Sequence, residues 1–547
     1  MKKPFPFHVV LFIIYPIIAL YVNNINEITL LETLRSYLVS IVIASILFGV
    51  LYLFLRDYIR SALLTTWLMI LFFSYGHVLT YIKQWEMGEL ILGRHRFLLP
   101  IWLSLFVIGA FWIARTKRHS ERLNQFFNGT GSLLLLFSIY SIAIFYWGDS
   151  NSQNGIQLPS SASPESVSYE ECTVSTPDIY YIILDGYGRN DILRDLYDFD
   201  NSKLTSFLLD KGFYIAENSY SNYSQTLLSL SSSLNMSYIN YLTDELGRQS
   251  LNRDALGELV TDSQVLAFLK DYDYQFVTFE TGAKATEIRR SDYYLSPESD
   301  EDWGQVNERQ LLVNKFEGIL IDSTLLILFL DHDFLIPDFV KEAIFGSDNL
   351  REIVSSSEYQ KHRERIEYTF TRLPDFASRD GKFFFFAHVI APHPPFVFDA
   401  SGAPLEPVAP FSFRDGTLSQ EQERDYIRGY RDQLEYINTL LIDTIESILA
   451  QSTEAPIIIV QGDHGPGSQL KWTSIEDTNL LERMGILNAI HLPGGPDILY
   501  PDISPVNTFR SVFNCYFDTD FELLTEKHYI SLYDSPYDFL DITKELP

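Results

Sequence analysis

Pro456-Ile-Ile-Ile-Val460 runs as an apolar strand straight into Gln461-Gly462-Asp463-His464-Gly465. Adjacent Asp and His side chains can both face one cation if the backbone turns sharply, and the nearby glycines permit that turn. A second apolar run, Asp178-Ile-Tyr-Tyr-Ile-Ile-Leu184, ends in Asp185-Gly186. Taken singly, an Asp before Gly at a strand end is more often a turn residue than a ligand. A third run, Lys382–Val389, leads into Ala391-Pro-His393-Pro-Pro-Phe396. His393 sits there between prolines, where a lone His is more often structural, and His388 inside the strand reads as core or as outer support of a site.

A metal site that does chemistry also needs an attacking group. Asn222-Tyr-Ser-Gln-Thr226-Leu-Leu-Ser229-Leu-Ser-Ser-Ser-Leu-Asn235 is dense in hydroxyls, and Leu227, Leu230 and Leu234 recur at helical spacing. A helix starting at Thr226 aims free N–H groups and the positive end of its dipole at an anion. A hydroxyl at that point, ionised by a metal, can attack phosphorus. In isolation the same stretch reads as a Ser-rich cap and helix.

These segments must be brought together by the elements that carry them. Apolar runs bounded by turns read as parallel strands buried on both faces, with a further run at Gln275–Phe279. Between them lie helical patterns. The clearest is Ser419 to Ala450, where Tyr426, Tyr430, Leu434, Ile437, Leu441, Ile445 and Ile448 share one face. Strands alternating with helices predict an α/β sandwich. Its ligands gather at the carboxyl ends of the strands, where Asp185, His393, Asp463 and His464 all fall.

The chain has 547 residues, 46% hydrophobic, with a formal charge of −30. The excess of acid argues against nucleic acid as a partner, since phosphate backbones are held by Lys and Arg. The composition is segregated. Five apolar runs precede residue 150, at Phe5–Val22, Tyr37–Leu55, Ala62–Ile82, Phe97–Ala114 and Gly131–Trp147, each close to the ~20 residues that cross a bilayer core as a helix. Lys2, Lys3, Arg56, Arg60, Arg115, Lys117, Arg118 and Arg122 fall in alternate loops. That bias places the N-terminus inside, so an odd number of spans puts everything after Trp147 outside. Residues 1–147 therefore read as a five-span transmembrane domain. Residues 148–176, rich in Ser, Asn, Gln and Pro, read as a flexible linker, and 177–547 as an extracytoplasmic catalytic domain. The two cysteines, Cys172 and Cys515, read equally as one bridge or as two thiols.

Taken together, "YYIILDGYGR" (180–189), "NYSQTLLSLSSSLNM" (222–236), "APHPPF" (391–396) and "VQGDHGPG" (460–467) resemble the alkaline phosphatase and sulfatase superfamily, in its order and over nearly all of 177–547. With five spans ahead of them, the chain is similar to lipoteichoic-acid synthases and lipid A phosphoethanolamine transferases. The resemblance implies an alkaline-phosphatase-like α/β/α sandwich holding one divalent ion, manganese or zinc. Its ligands would be Asp185, Thr226, Asp463 and His464, with Thr226 also the nucleophile. It gives Ser229 and His393 to the substrate, His393 at the phosphoryl or leaving group. Those transferases usually carry Glu where this chain has Asp185, which brings the chain nearer to a broad sulfatase-like group found with surface-polysaccharide genes. The Cys/Ser-x-Pro-x-Arg motif of the sulfatases is absent around Thr226, which argues against sulfate ester hydrolysis.

The expected function is a membrane-anchored, metal-dependent transferase. It would move phosphoethanolamine or phosphoglycerol from a phospholipid donor to a cell-surface polysaccharide or glycolipid acceptor through a Thr-linked intermediate. Two alternatives stand beside it. One is an extracytoplasmic phosphatase or phosphodiesterase using the same residues. The other is a non-catalytic membrane scaffold, which predicts loss of a ligand or of the nucleophile.

Overall fold

The computed structural model describes residues 5–25, 30–83, 86–87, 90–91, 95–115, 119–152, 176–297, 299–300, 315–328, 350–405, 411–495 and 498–547. Residues 153–175 of the expected linker, Cys172 among them, lie outside the described residues. The chain divides into two compact units, residues 1–153 with 307–358 and 407–410, and residues 154–306 with 359–406 and 411–547.

The first unit is helical. Its elements are α1 (His8–Asn23), α2 (Leu30–Leu55), α3 (Tyr58–Lys83), α4 (His95–Arg115) and α5 (Ser120–Ser152). Four of them are long and apolar enough to cross a membrane, and α1, at 16 residues, is a shorter apolar helix. At 1.5 Å per residue α1 spans only about 24 Å, short of a ~30 Å hydrocarbon core. Leu53, Phe54, Leu133 and Phe137 stand exposed. A water-soluble fold would bury such residues, and a lipid-facing one presents them outward.

The second unit is built on a seven-stranded sheet. In chain order the strands are β1 (Ile179–Leu184), β2 (Tyr214–Ile215), β3 (Gln275–Phe279), β4 (Tyr293–Leu295), β5 (Phe383–Val389), β6 (Ile457–Gln461) and β7 (Asn488–His491). Their spatial order is β2-β7-β6-β1-β5-β3-β4. The four runs expected as strands are β1, β3, β5 and β6, and they pair in parallel at the centre. One edge of the sheet, outside the runs read as strands, is antiparallel: β7 lies antiparallel to β6 and β2 antiparallel to β7. Those edge strands have two to four residues, too few to show a periodicity that sequence reading could use.

β1 explains why the runs are continuous rather than alternating. Tyr180, Ile182 and Leu184 enter one core with α8 (Leu350–Arg372), through Tyr359 and Ile366, and with α9 (Gln420–Gln451), through Tyr430, Leu434 and Ile437. Ile179, Tyr181 and Ile183 enter the other core with α11 (Pro505–Tyr516), through Phe509 and Phe513. Both faces of the strand are buried, so its side chains are apolar or aromatic throughout. Ser419 opens α9 with a capping box, its hydroxyl accepting from Gln422 N–H while the Gln422 side chain accepts from Ser419 N–H. Cys515, on α11, is disulfide-bonded.

Asp178, just ahead of β1, carries a measurable consequence. Burial pushes its carboxyl up to about 6, against the Phe383 N–H bond that favours the charged form and with Glu454 adding to the rise. The folded state therefore holds this proton more tightly than the unfolded chain, whose carboxyl titrates near 3.9. The contribution is most favourable below about pH 4 and is lost as pH rises to about 6. Asp178→Asn keeps the acceptor for Phe383 and removes the charge. The variant is expected to outlast the parent thermally above pH 6, by up to ~2 kcal/mol. The two should converge near pH 4 when melting of the full chain in detergent is followed across that range. A constant difference at all pH values would refute this account.

Candidate active site

The site forms where β1, β5 and β6 end side by side. In-register pairing of β1 with β5 and with β6 brings Asp185, the loop after Val389, and Asp463-His464 to one edge. Asp185, Asp463 and His464 offer ligand atoms all within 4.8 Å of one another, and all three are buried. His464 Nε2 lies 3.5 Å from Asp185 Oδ1 and 3.4 Å from Asp463 Oδ2. Thr226, first residue of α6 (Thr226–Leu234), places its Oγ1 3.1 Å from the same Nε2. The four residues assigned together from sequence are thus one cluster.

Each is held by its own backbone. His464 Nδ1 donates to Gly465 O at 2.9 Å, which leaves Nε2 as the lone-pair nitrogen facing the acids. Gly186 N–H donates to Asp463 Oδ1 at 3.0 Å, and Ser221 Oγ donates to the Asp463 carbonyl at 2.5 Å. Gly465 is needed for close approach, because a Cβ there would overlap the Glu482 carbonyl. Ser229 sits one helical turn beyond Thr226, its hydroxyl 3.3 Å from that of Ser221. It therefore supports the segment that carries Asp463.

His393 stands at the rim of the cluster. Its N–H donates to Asp185 O at 3.0 Å, its Nδ1 to Pro394 O at 2.6 Å, and its ring centroid is 6.0 Å from that of His464. Gln433 of α9 fixes the loop, donating to His393 O and accepting from Val397 N–H. His388 points into the site from β5, with Nε2 3.4 Å from Asp185 Oδ2 and Nδ1 3.0 Å from Thr286 Oγ1. That is the outer support expected of it.

Two residues that sequence reading passed over complete the constellation. Arg483, in α10 (Leu480–Met484), is 2% exposed. It pairs with Asp415 at 2.8 Å and donates from Nε to Ser224 O, two residues before Thr226. Asp415 Oδ2 is also 3.5 Å from His393 Nε2. The pair thus joins the segment leading to Thr226 to the His393 loop. Asp415 lies in Arg414-Asp415-Gly416, which reads as an ordinary turn, and Arg483 carries no motif at all. Only their burial together reveals them.

The protonation pattern follows. Burial raises the Asp185 carboxyl, but the charged His393 and the neighbouring His388 outweigh it and hold Asp185 well below the usual range. Burial opposes a charge on His393, yet Asp185 and Asp415 push it up to about 9. Burial and Arg483 lower His464, keeping it a neutral imidazole.

Two oxygens test whether the cluster fits a metal ion. Asp185 Oδ1 and Asp463 Oδ2 are buried without a hydrogen-bond partner, a costly state for carboxylates that a bound cation would relieve. Ligand atoms ~2.0–2.1 Å from a tetrahedral ion stand roughly 3.3 Å apart, close to the 3.1, 3.4 and 3.5 Å that separate His464 Nε2 from Thr226, Asp463 and Asp185. The donor set of two carboxylates, one imidazole and one hydroxyl suits a divalent ion.

No family model matches this chain, and no curated protein matches it. Solved structures do. The C-terminal periplasmic domain of EcEptC from Escherichia coli, in complex with Zn, is 11% identical, with 69% of this chain and 95% of that one covered and a TM-score of 0.39. The corresponding domain of phosphoethanolamine transferase EptC from Campylobacter jejuni is 12% identical, covering 64% and 92%, at 0.35. The lipoteichoic acid synthase LtaP from Listeria monocytogenes is 13% identical, covering 67% and 81%, at 0.36. At these values the likeness concerns the fold alone, and the functional reading rests on the residues described above.

Proposed function

We propose that the protein is a membrane-anchored, metal-dependent phosphoryl-group transferase with Thr226 as nucleophile. One observation carries this reading. Thr226 Oγ1, partly open to solvent at a helix start, lies 3.1 Å from His464 Nε2 beside two buried carboxylate oxygens that lack partners. Asp185, Asp463 and His464, with Thr226, would hold one divalent ion, manganese or zinc. That ion, when bound, would lower the pKa of the Thr226 hydroxyl, whose proton passes to solvent, and would neutralise charge developing on phosphorus.

The remaining work falls to the chain. N–H groups of the first turn of α6 are free of intrahelical partners and face an incoming phosphoryl group. Thr226 Oγ forms a bond to phosphorus as the bond to the diacylglycerol oxygen breaks. His393, charged between Asp185 and Asp415, gives its Nε2 proton to that oxygen. In the second half the neutral His393 takes the proton of an acceptor hydroxyl, whose oxygen bonds to phosphorus as the Thr226 ester breaks. Arg483 and Asp415 fix the orientation of His393 throughout.

The reading places the second unit outside the membrane, with a phospholipid donor and a surface polysaccharide or glycolipid acceptor. The loop charge bias and the disulfide at Cys515, a bond typical of oxidising compartments, support that placement. Phosphoethanolamine and phosphoglycerol are the head groups that match the sequence resemblance.

The experiment is intact mass spectrometry of the full chain, purified in detergent with metal and incubated with mixed phospholipids. The expected result is an adduct on Thr226 whose mass names the head group. Bare phosphate on Thr226 would favour a phosphatase, and a catalytically active protein modified elsewhere would remove Thr226 from the role.

A further inference from the structure

Residues 307–358 lie between β4 and β5 in the chain, yet they belong to the compact unit of the membrane helices. Their described part is α7 (Lys315–Ser323) and the turn to residue 328. Phe316 of α7 is fully buried in a cluster with Ile17, Leu20 and Tyr21 of α1. Glu317 takes both Nε and Nη2 of Arg35, in the second turn of α2. Leu325 N–H donates to Phe72 O of α3 at 2.9 Å. A Cβ on Gly76 would overlap the Asp322 carbonyl, so only glycine lets this segment reach α3. Ile327 packs with Leu79 of α3 and Leu98 of α4.

These contacts share one end of the bundle. They take the C-terminal part of α1, the start of α2, the C-terminal half of α3 and the start of α4. In helices that alternate direction, those ends lie on one side, the side of the α1–α2 and α3–α4 connections. With α1 counted as a fifth span, as the sequence is read, that is also the side on which the chain leaves α5.

We propose that residues 315–328 are a second membrane anchor, a strap inserted in the chain between β4 and β5 that docks on the outer ends of α1 to α4 and so tethers the α/β unit to the membrane independently of the segment after α5. A docked strap shortens the link on the chain segments that lead to β5 and His393, and so favours substrates held in the lipid surface over dissolved ones. The substrate consequence rests on the function proposed above, and the anchoring does not.

The test uses the full chain in its membrane, with a site-specific protease sequence inserted after Asn154, upstream of both cysteines. After cleavage and an alkaline carbonate wash, the C-terminal fragment is expected in the membrane pellet. Gly76→Leu should release it. Arg35→Glu should also release it, and adding Glu317→Arg should restore retention. A parent fragment that washes off overturns the proposal, as does a Gly76→Leu fragment retained like the parent. In the uncut chain, Gly76→Leu should lower turnover of vesicle phospholipid about tenfold relative to a water-soluble nitrophenyl phosphodiester. An equal fall on both overturns the link to substrate choice. A parent inert towards both refutes the proposed function and leaves the fractionation result standing.

Discussion

Thr226→Ala is expected to abolish phospholipid turnover, by on the order of 10⁴-fold or more, as removal of a covalent nucleophile does elsewhere. The fold should not notice. Thr226 is the first residue of α6, it makes no capping bond, and its one side-chain hydrogen bond is to His464. Losing a partly exposed hydroxyl at that position costs about 1 kcal/mol or less, so the melting temperature should stay within a few degrees of the parent. Thr226→Ser, which keeps the oxygen, should restore a measurable fraction of the rate and form the adduct that Thr226→Ala cannot. Turnover retained in Thr226→Ala, with its fold intact, would place the nucleophile elsewhere.

Asp463→Asn is expected to move function and stability in opposite directions. The parent holds the Asp185 and Asp463 carboxylates in a buried cluster, with an oxygen of each unpartnered. Without a cation, two such charges repel and neither is solvated. Asn removes one charge and keeps an oxygen for Gly186 N–H, which Asp463 Oδ1 now accepts. The chelated variant should therefore melt above the chelated parent, by the equivalent of ~1–2 kcal/mol. Added manganese or zinc should raise the parent's melting temperature, as any ligand of the native state does, and leave the variant's nearly unchanged. Turnover should fall at least ~100-fold, beyond the loss typical of an outer-shell residue. Equal metal-induced stabilisation of both proteins would count against Asp463 as a ligand.

The two predictions draw on different parts of the molecule's legibility. The placement of Asp185, Thr226, Asp463 and His464 is legible because each follows a strand or opens a helix whose apolar pattern is strong. The pattern fixes the strand's end, and the sheet then fixes what stands beside it. The central strands and α9 were readable for the same reason, since burial on one or both faces writes a period into the residues themselves. The short edge strands β2, β4 and β7 were not, because two to four residues hold no period and their pairing is chosen by the neighbour already in place.

Asp415 and Arg483 belong to a third case. A charged residue in a turn or a short helix looks solvated in sequence, and most are. These two are buried because they meet each other across 67 intervening residues, at 2.8 Å. The same holds for the segment 315–328, whose place against α1 to α4 rests on the buried Phe316, the close approach at Gly76 and the Arg35–Glu317 pair. The sequence alone determined which residues could do chemistry and which segments are apolar enough to form strands and membrane helices, for those are properties of local pattern. The tertiary structure decided which distant charges pair and which surface segment docks, because those depend on the shape of a partner that no local pattern records.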